Sequence, residues 1–384
     1  MRKHSFLSFV LVLSTAACVD RVFIDVGTPS SFPVVVDGHI SDQPGPYSIQ
    51  INQAFDIESK QNQKVPVDAK SVIISDNLGN SEKLFARYPG LYQTDTTGKG
   101  IRGIVGRIYK LRVELPDGRI YESLPDTLLA AGKLDSVYSV FIEEKQNDFG
   151  ALHGFDIFFN ASGGDKSSAH FIWEFTGTFQ AETSPQPSLR NGCEMIGAGK
   201  CNYVPLCSGL RNIGGYTFVT GIWERVAPCT CCTCWYNIFS STVTLSDDRL
   251  LRVGDFKNVN IGHVPFDPYI FSHKIYIEVS QMSLTNQSYL FWRAIRDQKN
   301  ATNSLFQPVT GKIPSNFTQL SGTEAPIQGL FLATSLSKKT IMLTKEDAPV
   351  NIDFNSAINV DALNTACPNL FPNAKTKKPS FWKD

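Results

Sequence analysis

Apolar residues in this chain recur at every second position, and that period constrains the fold more than any other feature. Tyr109, Leu111, Val113 and Leu115 alternate with Lys110, Arg112 and Glu114, and Tyr47, Ile49 and Ile51 alternate with polar neighbours. Period two with one polar face describes antiparallel sheet that buries a single side. Asp76-Asn77-Leu78-Gly79-Asn80 separates Val72-Ile73-Ile74 from Leu84-Phe85, and Pro116-Asp117-Gly118 separates the Tyr109 strand from Ile120-Tyr121. Both read as hairpin turns, because Asn, Asp and Gly tolerate the positive φ that tight turns require. About seven such strands within residues 32–130 predict an immunoglobulin-like β-sandwich.

Residues 131–372 read as a larger antiparallel β domain with one prominent helix. Phe171, Trp173 and Phe175 alternate with Ile172, Glu174 and Thr176, and Ile275, Ile277 and Val279 alternate with Lys274, Tyr276 and Glu278. The 26 Phe and 12 Tyr against 4 Met also suit the half-buried surfaces of sheets. Thr285 can cap a helix whose Tyr289, Trp292 and Ile295 share one face, with the polar run from Arg296 to Asn303 ending it. That aromatic stripe is expected to pack on the sheet. The last segment, 373–384, opens on a basic stretch, Asn373 to Pro379, that reads as a poorly ordered tail.

Cysteine usage carries the clearest chemical signal. Of nine cysteines, all but Cys18 fall late in the chain: Cys193, Cys201, Cys207, Cys229, Cys231, Cys232, Cys234 and Cys367. An even set in an exported chain favours a disulfide framework. It would staple the insertion at about 183–234, whose prolines and glycines show no clear period, and long irregular segments are costly to order without cross-links. Cys367 is expected to reach back to the cluster. Cys229/Cys232 and Cys231/Cys234 have the C-x-x-C spacing used by zinc, iron–sulfur and redox sites. No histidine flanks them to complete a mixed ligand set, so no metal and no cofactor is expected.

The export inference comes from the N-terminus. Arg2, Lys3 and His4 precede an apolar run from Phe6 to Leu13, and small residues then lead to Thr15-Ala16-Ala17-Cys18. This order describes a signal peptide at 1–17 with a lipoprotein cleavage site, although Thr15 stands where Leu is usual. Cys18 is the expected acylated first residue, followed by a tether at 18–31. The apolar run falls far short of the ~20 residues a spanning helix needs. Acyl chains would therefore anchor the protein to a membrane without crossing it.

Catalytic patterns are thin. Gly98, Gly100 and Gly103 match G-x-G-x-x-G, but a strand follows them where a dinucleotide site needs a helix. His4, His39, His153, His170, His263 and His273 are scattered singly. No nucleophile elbow, zinc helix, phosphate loop or calcium loop occurs. Net charge is zero and basic patches interleaved with aromatics are missing, so no nucleic-acid partner is expected.

The ordered motifs resemble a known family. After the leader come Pro33-Val34-Val35-Val36-Asp37-Gly38-His39-Ile40, Gly45-Pro46-Tyr47-Ser48-Ile49, Ala69 with Val72-Ile73-Ile74-Ser75-Asp76, and Gly90-Leu91-Tyr92. Gly106 with Tyr109-Lys110-Leu111, and Asp117-Gly118 with Tyr121-Glu122-Ser123, follow. Later marks are Cys234-Trp235, Val279-Ser280-Gln281, Ser283-Leu284-Thr285, Tyr289 with Trp292, Gly311-Lys312-Ile313, Gly329 with Phe331, and the terminal Pro379-Ser380-Phe381-Trp382. Over nearly the whole mature chain this resembles the domain of unknown function 4249 family, lipoproteins of Bacteroidota-type outer membranes. The resemblance implies an outer-membrane location and an accessory role beside a TonB-dependent receptor, and it transfers no catalytic residue. The crowded cysteine cluster departs from the family. The leading expectation is a non-enzymatic, lipid-anchored accessory or ligand-binding protein, with exposed loops of the second domain, including the stapled segment, as its binding surface. The alternative is a surface-anchored hydrolase acting on glycan or peptide.

Overall fold

The computed structural model describes residues 33–54, 65–143, 153–163, 170–185, 188–191, 200–203, 206–214, 222–240, 242–246, 255–301, 313–349 and 365–383. The expected signal peptide, the tether with Cys18, and Cys193 lie outside the described residues; of Cys201 only the backbone, in the strand Lys200–Tyr203, is described. Among the described residues the fold is mainly β, as expected, with one long helix.

Two six-stranded sheets enclose the first core. One runs in the order Ile327–Thr334, Val34–Ser41, Ser48–Gln53, Leu91–Gln93, Phe85–Tyr88, with Val65–Pro66 beside Ser48–Gln53. The other runs Phe317–Ser321, Ile120–Ser123, Ile108–Glu114, Ser71–Asp76, Ser81–Lys83, with Asp126–Thr127 beside Ile108–Glu114. The alternation read from sequence is the alternation seen: Tyr109, Leu111 and Val113 are buried against Val36, Ile49 and Ile51. At the first hairpin, the Asp76 carboxylate accepts the N–H groups of Leu78 and Asn80, both at 2.9 Å, and Gly79 takes φ 89°. The returning strand is Ser81–Lys83 rather than Leu84-Phe85. Leu84 is buried where the chain leaves this sheet, and Phe85–Tyr88 pairs in the opposite one.

A second pair of sheets encloses an aromatic core. Lys133–Ile142, Gly154–Ser162 and Asp255–Pro265 form one sheet. Thr233–Phe239, His170–Glu182, Lys274–Leu284 and Leu336–Thr344 form the other, with Thr244–Leu245 alongside His170–Glu182. Phe155, Phe159, Phe171, Trp173, Phe256 and Phe271 fill the space between them. The buried indole of Trp173 donates to Gln281 Oε1 at 2.8 Å, and the Gln281 amide donates in turn to the Ala131 carbonyl, so a buried polar pair is fully used.

The helix spans Asn286–Ala301, and Thr285 Oγ1 accepts the Ser288 N–H at 3.4 Å at its start. Tyr289, Trp292 and Ile295 pack on Ile172, Leu284, Leu330 and Leu332. It runs into the polar stretch that was expected to end it and is described as far as Ala301. Arg, Gln and Lys are good helix formers, and a polar face ends burial without ending the helix.

The two regions read in succession from the sequence are interleaved in space, and Pro33–Asp384 forms one compact unit. Ile327–Thr334 pairs in parallel with all of Val34–Ser41, and Phe317–Ser321 pairs with Ile120–Ser123, so segments beyond residue 131 complete the sandwich. Phe331 and Ala333 enter the sandwich core while Leu330 and Leu332 pack under the helix. A strand buried on both faces reads as a continuous apolar run, and period two is then silent about its partners. The close approach falls on Gly329, opposite Val36: its φ is 119°, and an added Cβ would strike the Val36 backbone. Gly329→Ala should therefore cost at least about 2 kcal/mol in urea denaturation, from strained φ and lost pairing together. A variant within experimental error of wild type would show that this contact is not required.

Asp126 fastens the same junction. It is buried, with Oδ1 accepting Thr285 Oγ1–H at 2.6 Å and Oδ2 accepting the Ala333 N–H at 2.9 Å and Ser288 Oγ–H at 3.3 Å. Burial pushes its carboxyl above the usual carboxylate range, against the opposing pull of these donors. The folded state thus holds the proton more tightly than the unfolded state. The resulting stability is full below the unfolded value of ~3.9 and is lost as pH rises through the raised folded value. Asp126→Asn removes this linkage. The wild type should accordingly gain stability relative to the variant as pH falls from ~7 to ~4, measured by urea midpoints. A constant difference across that range would contradict the assignment.

Candidate functional site

The strand Thr233–Phe239 ends its sheet, and an open edge invites pairing with any available backbone. Here the C-terminal segment takes that place. Trp235 N–H donates to the Lys375 carbonyl at 2.8 Å and Lys375 N–H returns a bond to Trp235 at 2.9 Å. A disulfide joins Cys234 to Cys367, both fully buried, and Cys367 N–H donates to the Cys231 carbonyl at 2.8 Å. The short helix Cys367–Leu370 then leads to Phe371, whose ring contacts Phe179, Tyr236 and Tyr269. The basic stretch expected to be poorly ordered is therefore docked, because flanking apolar residues and a cross-link hold it. Trp382 is buried edge-on against Trp235, with Lys274 Nζ 5.6 Å above its ring, and Phe381 stacks on Tyr276 at 4.5 Å.

Between this segment and the sheet lies a cavity of about 650 Å³. Its floor follows from the alternation in the sheet. Phe175, Phe179, Ile275 and Ile277 face the core, so Thr176, Thr178, Tyr276 and Glu278 face the other way and line the cavity. They are close neighbours in register: Thr176 lies opposite Glu278, and Thr178 opposite both Tyr276 and Asn237. Thr178 Oγ1–H donates to Asn237 Oδ1 at 2.9 Å. The tail contributes Lys375, Lys377, Lys378 and Phe381. Glu278, the one carboxylate among the described lining residues, is paired with Lys338 at 2.7 Å. The Trp235 indole N–H is buried with no hydrogen-bond partner among the described residues. The result is a groove with aromatic walls, a hydroxyl and amide floor, and three lysines along the tail side.

Six of the eight cysteines expected to form a framework pair as Cys207–Cys231, Cys229–Cys232 and Cys234–Cys367. Thus Cys229 and Cys232 close their own C-x-x-C, while Cys231 and Cys234 bond elsewhere. No group of three metal-ligating side chains occurs among the described residues. The histidines stay apart: His263 bonds Asp156 at 2.8 Å, His273 bonds Glu182 at 3.2 Å, and His170 stacks on Tyr289. Around Gly98, Gly100 and Gly103 the loop is packed down, with Glu82 accepting the N–H groups of Asp95 at 2.6 Å and Ile101 at 2.5 Å. Gly103 N–H donates to Ser41 O at 3.0 Å, and no helix follows.

Sequence reasoning did not find the groove. The available signal was a basic run ending in Phe381-Trp382, since terminal aromatics rarely stay in water without a surface to cover. The Cys234–Cys367 bridge spans 133 residues, a length at which a cross-link contributes about 4 kcal/mol by restricting the unfolded chain. Replacing both cysteines by Ser should release the tail, so that trypsin cuts after Lys375 and Lys377 at least about tenfold faster than in the wild type. Equal cleavage rates would mean that backbone pairing and ring packing alone hold it.

Among the described residues no helix is long and apolar enough to cross a membrane. No curated protein matches the chain, and neither does any solved structure. One family model does match, described as "Domain of unknown function (DUF4249)", over residues 22–340. That span covers most of the chain and most of its described strands, and on it the protein belongs to the DUF4249 family.

Proposed function

We propose that this protein is a lipid-anchored, non-enzymatic lipoprotein of the outer membrane that captures a ligand beside a TonB-dependent receptor. The observation that carries the ligand-binding part is the groove of about 650 Å³ between the C-terminal segment and the sheet. Its volume falls within the ~300–1,000 Å³ typical of small-molecule sites, and aromatic walls with a few polar groups are what such sites present. The leader ending at Cys18 supports the anchor, and family resemblance supports the receptor partnership.

The groove is a better binding surface than the exposed loops favoured on sequence, because rigid strands and a cross-linked tail hold its side chains in place. General acid–base work on a glycan uses a second carboxylate opposite the first, and among the described lining residues Glu278 is the one carboxylate and is ion-paired.

The test is affinity purification of the tagged full-length lipoprotein from gently solubilised native outer membranes, followed by mass spectrometry. A TonB-dependent receptor should be recovered in stoichiometric amount. Recovery of the lipoprotein by itself would end the partnership reading.

A further inference from the structure

We propose that Cys229–Cys232 is a thiol–disulfide exchange site, a bridge that a dithiol opens reversibly while the other two described bridges stay closed. Exchange begins when a thiolate attacks one sulfur and the other sulfur leaves as a thiolate. The site must therefore admit the attacker at one end and hydrate a new negative charge at the other. Cys234 and Cys367 are fully buried, so breaking their bridge would leave a thiolate away from water. Cys207 is only partly buried, but attack there would expel the sulfur of Cys231, which is 5% exposed. Cys229 and Cys232 are each only partly buried, and theirs is the one described bridge with solvent at both ends.

Chain connectivity points the same way. A bridge stabilises by closing a loop in the unfolded chain, and it contributes more for longer loops. The sequence separation is 3 for Cys229–Cys232, against 24 for Cys207–Cys231 and 133 for Cys234–Cys367. Opening the first thus forfeits little folding free energy. Other contacts hold its surroundings: Thr230 N–H donates to the Cys207 carbonyl at 2.8 Å and Thr183 N–H to the Cys232 carbonyl at 2.7 Å. Thr233–Phe239 stays paired with His170–Glu182. The two thiols remain neighbours after reduction, so the bridge can close again.

The pair serves as the electron acceptor. Among the described residues no helix begins at Cys229, so the pair lacks the helix N-terminus that activates an attacking thiol. One sulfur of the incoming dithiol gives up its proton and bonds to one cysteine sulfur, the Cys229–Cys232 bond breaks, and the departing thiolate takes up a proton from water. The second sulfur of the dithiol then attacks the mixed disulfide and frees the other cysteine. Two electrons and two protons pass to the protein, and the dithiol leaves as a disulfide.

The experiment treats oxidised, detergent-solubilised full-length protein with graded dithiothreitol or reduced thioredoxin, blocks free thiols with excess N-ethylmaleimide, and maps them by fragment-ion mass spectrometry. Cys229 and Cys232 should be labelled together at a dithiol concentration at least about tenfold below the one that opens Cys207–Cys231 or Cys234–Cys367. Opening by thioredoxin as well makes a protein dithiol the source, and opening by dithiothreitol alone makes it a small molecule. Oxidised glutathione should then restore Cys229–Cys232 without new pairings. The double variant Cys229→Ser, Cys232→Ser should melt within about 3 °C of the wild type.

Labelling of Cys229 and Cys232 only together with the buried cysteines, or only in denaturant, overturns the proposal. So does failure of the bridge to re-form. A larger fall in melting temperature makes the bridge a structural staple and overturns it too.

Discussion

The parallel pairing of Val34–Ser41 with Ile327–Thr334 is the contact on which the rest of this structure depends. It joins the first described strand to one nearly three hundred residues later, and it places the second strand between two cores. Phe331 and Ala333 face the sandwich, Leu330 and Leu332 the helix. Without that strand the sandwich would lose the sheet neighbour of Val34–Ser41, and the helix would lose apolar partners for Tyr289 and Trp292. The closeness of the two backbones explains why a glycine, Gly329, stands opposite Val36.

Polar groups lock the same seam. Asp126 gathers the start of the helix and the returning strand around one carboxylate, while Asp42 accepts the Ser335 hydroxyl at 2.5 Å and the Leu336 N–H at 3.0 Å just beyond that strand. Gln281 links Trp173 to the Ala131 carbonyl where the chain passes from sandwich to second core. Each of these groups is costly to bury and acceptable only when its partners are in place, which gives the junction a single solution. The halves are thus held by specific contacts as well as by apolar burial.

The groove depends on an analogous long-range return. An outer sheet face carrying Thr176, Thr178, Tyr276 and Glu278 would be ordinary solvated surface on its own. It becomes a cavity because Cys367 is bonded to Cys234, Lys375 pairs with Trp235, and Phe381 and Trp382 cover aromatic rings. The same closure brings Lys375, Lys377 and Lys378 from a flexible-looking sequence beside the aromatic side chains of the sheet.

The strands themselves were legible in the sequence. Alternation at Tyr109–Leu115 and at Ile275–Val279 depends only on which side of a strand meets water, and the turns at Asp76–Asn80 and Asp117-Gly118 depend on local φ. Thr285 and the Tyr289, Trp292, Ile295 stripe likewise marked the helix and its buried face. What local pattern could not convey was partnership: the sheet that Phe85–Tyr88 joins, the return of residues 317–334 to the sandwich, the choice of Cys234 for Cys367, and the docking of the tail. Strand periodicity fixes which face is apolar but not which strand lies alongside. An apolar run buried on both faces, such as Leu330–Ala333, loses even that. Sequence alone therefore determined a mainly β protein with a cysteine-rich region. Only tertiary structure decided how distant segments close on one another, because pairing, burial and cross-linking between them are satisfied together or not at all.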